Sequence, residues 1–270
     1  MSEPDWSNDA ADLPPGMFRH GGPLEQTTIH QKKKGPLRHS PREDRYPKVC
    51  FSDIGGLAIY EGDIALGPAV EVRNKGRSIG TTGDLWPGGQ VPYELNGANT
   101  TLVSAAIAHW EAQTPIRFVR RAAEPDFVSF EQLEGCWSYV GKVGGRQQLS
   151  VGRGCPLGSV IHEIGHLLGL WHEQSRADRD DHIEVRSENI AEEHLHNFDQ
   201  HILDGTDLGS YDFGSIMHYP PLAFSKNGEP TIVAKGGQSI GQRNGLSAGD
   251  VQGVRLLYPD LDWTAVAAQA

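Results

Sequence analysis

The segment His162-Glu163-Ile164-Gly165-His166-Leu167-Leu168-Gly169-Leu170-Trp171-His172-Glu173 restricts this chain more than any other. Histidines four residues apart share one face of a helix, so His162 and His166 can bind one ion together. Glu163 is one residue round, placed to reach a water beside the metal rather than the metal itself. Gly169 can take a positive φ, end the helix and let the chain return with His172 as third ligand. Three protein ligands leave a fourth zinc position open, which marks a catalytic rather than a structural site.

A turn containing methionine follows. Met217, in Ser215-Ile216-Met217-His218-Tyr219, lies 45 residues after His172. Together these features resemble the metzincin peptidases, and Glu173 and Tyr219 narrow the resemblance to the astacins. The likeness extends over about residues 78–259. It includes Leu85-Trp86-Pro87-Gly88-Gly89-Gln90-Val91-Pro92-Tyr93, Gly135-Cys136-Trp137-Ser138-Tyr139, Ala223-Phe224-Ser225 and Ile240-Gly241-Gln242-Arg243.

The resemblance implies an α+β, two-lobed zinc peptidase domain. It would have an N-terminal mixed sheet with two long helices and a mostly irregular C-terminal lobe ending in a helix. One Zn2+ per chain would be held by His162, His166 and His172. Glu163 would be the general base, and Tyr219 a movable group that stabilises the oxyanion. Met217 would form an apolar floor beneath the histidines, and Glu173 would meet the amino terminus released on maturation. A disulfide between Cys136 and Cys155 is also implied; no cysteines remain for the second bridge that the family usually has. Many members favour an acidic side chain just after the cleaved bond, read by a basic residue near the methionine turn. Pro220-Pro221 stand there instead, a departure that leaves that preference open.

Four segments are expected: a disordered extension at 1–45, a propeptide at 46–77 that blocks the active site, a catalytic domain at 78–260 and a tail at 261–270. Residues 60–63, Tyr-Glu-Gly-Asp, resemble the FxGD motif of astacin propeptides, whose aspartate occupies the zinc. Asp63 and Cys50 are both candidate blocking ligands. A thiolate is the softer donor, but Asp63 has the family-like context and lies about 14 residues before the expected cleavage near Arg77-Ser78. At roughly 3.3 Å per residue that tether can run along a groove.

Apolar spacing predicts helices over Thr100–Gln113, Ser159–Leu168 with Ser159 as N-cap, Ser187–His201 and Ala248–Leu257. Strands are expected at Gln90–Leu95, Ile116–Arg121, Asp126–Phe130, Trp137–Val140 and Gln147–Val151. His109, His182, His194, His196 and His201 show no ligand spacing and read as surface residues.

Formal charge is −11 over 270 residues, and it is uneven. Residues 1–76 hold 10 basic and 11 acidic side chains, leaving 14 and 24 for the remainder, or −10. That argues against nucleic acid as a partner. No apolar run nears the roughly 20 residues that span a bilayer, and the polar N-terminus has no signal-peptide pattern. The expected product is a secreted, monomeric zinc metalloendopeptidase, made as a latent precursor. It would act on proteins or peptides and be activated by another protease or by itself. Two rival readings are weaker: Glu173 and Tyr219 disfavour another metzincin branch, and the intact Glu163 disfavours an inactive zinc-stabilised binding module.

Overall fold

In the computed structural model the described residues are 24–28, 48–75, 85–201 and 206–264. The first of these form an antiparallel meander of β1 (Leu24–Thr28), β2 (Lys48–Ile54), β3 (Leu57–Tyr60) and β4 (Ile64–Pro68), followed by α1 (Ala69–Lys75). β1 falls inside the stretch expected to be disordered; the remainder of 1–45 lies outside the described residues. Gly55 and Gly56, at φ 62° and 86°, make the two-residue turn between β2 and β3. Glu61-Gly62-Asp63 make the next turn, with Glu61 and Gly62 also at positive φ, 46° and 79°.

The chain then builds a five-stranded sheet from β5 (Gln90–Asn96), β6 (Arg117–Arg120), β7 (Phe127–Glu131), β8 (Cys136–Trp137) and β9 (Arg146–Val151). Its order is β6-β5-β7-β9-β8, parallel throughout except for β8, the antiparallel edge strand. The N-terminal meander docks on that edge. Ala65 N–H donates to Ser138 O (2.8 Å) and Ser138 N–H to Asp63 O (3.0 Å), a parallel pairing.

Helix α2 (Thr100–Gln113) crosses over between β5 and β6, and its bounds coincide with those expected. The Asn99 side chain caps it by accepting from Leu102 N–H, and Val103, Ala106, Ile107 and Trp110 form its buried stripe. Helix α3 (Leu157–Leu168) carries the first two histidines. It starts two residues earlier than expected, with Pro156 at the N-cap position, and the Ser159 hydroxyl is buried without a hydrogen-bond partner. Two indoles fix α3 to the core: Trp110 Nε1–H donates to Ile161 O (2.9 Å) and Trp86 Nε1–H to Leu167 O (3.0 Å).

After α3 the regular structure is sparse: a β10 (Ile183–Val185)–β11 (Ile232–Ala234) pair, short 3-10 turns and α4 (Ala248–Leu257). The helix expected over Ser187–His201 is absent; two 3-10 turns, Ser187–Asn189 and Glu192–Phe198, stand in its place. The buried residues His196, Asn197 and Phe198 are consecutive, which a helix with one buried face cannot satisfy. The strand expected at 137–140 is likewise shorter, Cys136–Trp137.

Apolar packing divides the molecule. One core joins the sheet to α2, α3 and α4; a second, around Ile183, Phe198, Tyr219 and Ile232, belongs to the C-terminal lobe. A third gathers Phe51, Tyr60, Ile64, Leu66 and Val72 of the N-terminal meander and α1 against Val140 and Trp171. This is an α+β, two-lobed arrangement, with the histidine segment between the lobes.

Candidate metal centre

His162 and His166 project from the same face of α3, and the helix stops where the sequence predicted. Gly169, at φ 108°, is the left-handed cap, and its N–H reaches the carbonyls of Gly165 and His166. The turn that follows delivers His172. Nitrogens of these three residues and a carboxylate oxygen of Asp63 all lie within 4.8 Å of one another, and all four residues are buried. Asp63 Oδ2 is 3.3 Å from His162 Nε2, and Oδ1 is 3.6 Å from His166 Nε2 and 3.2 Å from His172 Nε2.

The imidazole orientations follow from their outer nitrogens. His162 Nδ1 meets Ile216 O (2.8 Å), His166 Nδ1 meets Leu170 O (2.9 Å) and His172 Nδ1 meets the Glu61 carboxylate (2.7 Å). Each partner accepts a hydrogen bond, so each Nδ1 carries the proton and each Nε2 lone pair faces inward. His162 Nε2 and Asp63 Oδ1 are buried with no hydrogen-bond partner. Such atoms are costly to leave unsatisfied, and three imidazole nitrogens with one carboxylate oxygen form a donor set that fits Zn2+.

Glu163, on α3 between the two histidines, is 2% exposed, and its Oε2 has no hydrogen-bond partner. Burial, reinforced by the Asp63 charge, pushes its pKa well above the ordinary value. The methionine turn lies directly beneath the centre. A β-carbon at Gly165 would stand 2.5 Å from Met217 Sδ, and the Ile216 carbonyl orients His162. The turn is itself pinned by Asp250 at the start of α4, which accepts from Ser215 Oγ (2.6 Å) and Ile216 N–H (2.9 Å).

Tyr219 is fully buried, its ring 4.6 Å from that of His172, and its hydroxyl donates to the Glu61 carbonyl. Glu173 is engaged outside the donor set. It accepts from Asp212 N–H (2.7 Å) and lies 3.5 Å from Arg176, and burial pushes its pKa up to about 8. The expected cleavage region around Arg77-Ser78 lies outside the described residues.

Cys136 and Cys155 form a disulfide, with Cα atoms 6.1 Å apart. It ties edge strand β8 to the residue preceding Pro156 at the start of α3. Cys50 is on β2, opposite Gln26 of β1, and is not among the four converging residues.

Three residues near the centre carry no mark in the sequence. Glu61, 0% exposed, holds His172 Nδ1 and also accepts from Ser175 Oγ (2.8 Å) and His201 Nε2 (3.0 Å). His201 is therefore buried rather than a surface residue, and so is His196. Glu61 lies inside the quoted Tyr-Glu-Gly-Asp run, but nothing local singles it out, because its partners are 111 to 158 residues away.

Comparison with known proteins agrees with this geometry. Zinc metalloproteinase nas-15 of Caenorhabditis elegans is 43% identical over 64% of this chain and 32% of its own length. Tolloid-like protein 2 of Mus musculus is 34% identical over 94% of this chain and 26% of its own, a match that reaches well ahead of residue 78. The chain thus spans about a third or less of these relatives. A solved structure of high choriolytic enzyme 1, described as a hatching enzyme zinc-protease from Oryzias latipes, superposes with a TM-score of 0.62 at 36% identity. That match covers 67% of this chain and 96% of the other. Residues 78–259 match the sequence signature of the Astacin peptidase family, and this chain belongs to that family.

Proposed function

We propose that this protein is a zinc-dependent metalloendopeptidase that hydrolyses internal bonds of proteins, held latent by its own segment 46–77. The observation that carries the reading is the Asp63 carboxylate among the inward-facing Nε2 atoms of His162, His166 and His172. A carboxylate there fills the position that an attacking water needs.

Zinc, when bound by the three histidines, supplies Lewis acidity, polarising a carbonyl and making water nucleophilic near neutral pH. Glu163, buried on α3 between the two histidines, takes the proton of the attacking water and passes it to the departing amine. Tyr219, released from the Glu61 carbonyl when the pro-segment leaves, turns its O–H to the scissile carbonyl oxygen as charge develops there. Met217 supports the histidines from below, and Glu173 stands ready for the amino terminus freed by cleavage near Arg77. The activating cut comes from another protease or from a second copy. One zinc per chain and an extracellular site of action complete the reading, the disulfide being at home in an oxidising compartment. Among the described residues no helix is long and apolar enough to cross a membrane.

The test is to purify the full chain, measure its zinc content, and assay casein cleavage before and after trimming near Arg77. One equivalent of zinc, silence before trimming and chelator-sensitive internal cleavage afterwards are expected. A trimmed, zinc-loaded protein that cuts nothing would sink the proposal.

A further inference from the structure

The Asp63 carboxylate accounts for only part of what the pro-segment does to this site. Two residues earlier, Glu61 enters a completely buried position and satisfies three donors of the catalytic domain at once: His172 Nδ1 at 2.7 Å, Ser175 Oγ at 2.8 Å and His201 Nε2 at 3.0 Å. Its own carbonyl takes a fourth, the hydroxyl of Tyr219. Two of the side-chain donors, His172 and Ser175, share the turn that follows α3, the third, His201, comes from 26 residues beyond Ser175, and the ring of Tyr60 stacks edge-on against His201 at 5.7 Å. To make these contacts Glu61 adopts φ 46°, a conformation that residues with a β-carbon seldom hold unless their surroundings impose it.

We infer that Glu61 is a second lock, separate from Asp63, which keeps the precursor closed by binding His172, Ser175 and His201 through its side chain and tethering Tyr219 through its carbonyl. The inference rests on the latency reading above and deepens it. Asp63 denies water its position, whereas Glu61 holds in place the third histidine and the tyrosine proposed to stabilise the transition state. Charge-assisted hydrogen bonds between buried groups are the strong class, and removing one member leaves the others buried and unpaired. A carboxamide at position 61 keeps the size but turns an N–H pair towards donors, so Glu61→Gln weakens the side-chain half of the lock without opening a cavity and leaves the carbonyl tether to Tyr219 in place.

The experiment uses full-length precursors with Arg77→Ala to prevent cleavage, in wild-type, Glu61→Gln, Asp63→Ala, His201→Ala and Glu61→Gln/His201→Ala forms. Three quantities are read: zinc content, leak activity on a small fluorogenic peptide, and amide hydrogen exchange at Ala65 and Ser138, whose N–H groups pair β4 with the edge strand. Glu61→Gln is expected to keep its zinc, raise the leak about 10- to 100-fold and speed exchange at both amides. His201→Ala should leak less, and adding it to Glu61→Gln should change little, because the two residues act through one contact. With Arg77 restored, the Glu61→Gln chain should reach wild-type activity after trimming. Failure to do so would make Glu61 a folding residue and overturn the inference. A zinc-loaded Glu61→Gln precursor as silent and as protected as wild type, beside a leaking Asp63→Ala, would overturn this inference alone. An Asp63→Ala precursor that is loaded yet silent would overturn the latency reading with it.

Discussion

Met217 and Gly165 are in contact so close that no side chain fits at position 165 unless the methionine shifts: a β-carbon there would stand 2.5 Å from its sulfur. Gly165 lies between the two histidines of α3, so the helix can rest on the methionine turn only where it lacks a side chain. Gly165→Ala should therefore destabilise the protein by about 1–3 kcal/mol, the usual cost of overpacking. Met217→Leu keeps the volume and should cost less than about 1.5 kcal/mol. Denaturant unfolding of the zinc-loaded proteins checks both. Equal stability of Gly165→Ala and wild type would mean that the turn moves away freely and is no floor.

Glu163 provides a cleaner separation of roles. Its carboxylate is absent from the converging donor set, although it is buried beside two members of that set. Glu163→Gln should retain zinc while the trimmed enzyme loses about 10²- to 10⁴-fold in kcat, the range for loss of a general base. Zinc analysis alongside peptide kinetics decides it, and loss of the metal would show that Glu163 is a ligand instead.

What is legible in the sequence is whatever depends on near neighbours. Helices Thr100–Gln113 and Ala248–Leu257 have the expected bounds because their caps are local: Asn99 to Leu102, and Ser247 with Asp250 in a capping box. The helix carrying His162 and His166 and the return of the chain to His172 are legible for the same reason, since spacing on one helix and one cap at Gly169 set their geometry. Ser187–His201 departs from its apolar pattern because its residues answer to distant ones. Asn189 Nδ2 donates to Pro230 O, and His201 meets Glu61, 140 residues away. His196 and His201 look like surface residues in the sequence only because burial in an irregular lobe has no period. Asp63 is visible through a motif. Glu61, in the same motif, is not, because its three side-chain partners come from elsewhere in the chain.

Tyr219 tests the step from resting contact to catalysis. In this structure its hydroxyl is engaged by the Glu61 carbonyl, so on the proposed reading its catalytic use begins after that partner has gone. In the trimmed enzyme Tyr219→Phe should lower kcat by about 10²-fold with little change in KM, the signature of an oxyanion donor used only in the transition state. A change in KM alone would make the tyrosine a binding surface for substrate.

The disulfide sets the last prediction. Cys136 and Cys155 are 19 residues apart in sequence, and the bridge joins the edge strand on which the N-terminal meander docks to the start of α3. Closing a loop of that size restricts the unfolded chain by about 3 kcal/mol in the chain-entropy account. A Cys136→Ala/Cys155→Ala variant should lose roughly that much stability, while His162 and His166 remain anchored through Trp110 and Trp86. Zinc content should therefore be unchanged at room temperature, and the loss should show as a lower denaturation midpoint. Because the bridge anchors the start of β8, the variant precursor should also exchange its Ala65 and Ser138 amides faster. Unchanged exchange with lowered stability would mean that the bridge braces the fold without bracing the edge on which the N-terminal meander rests.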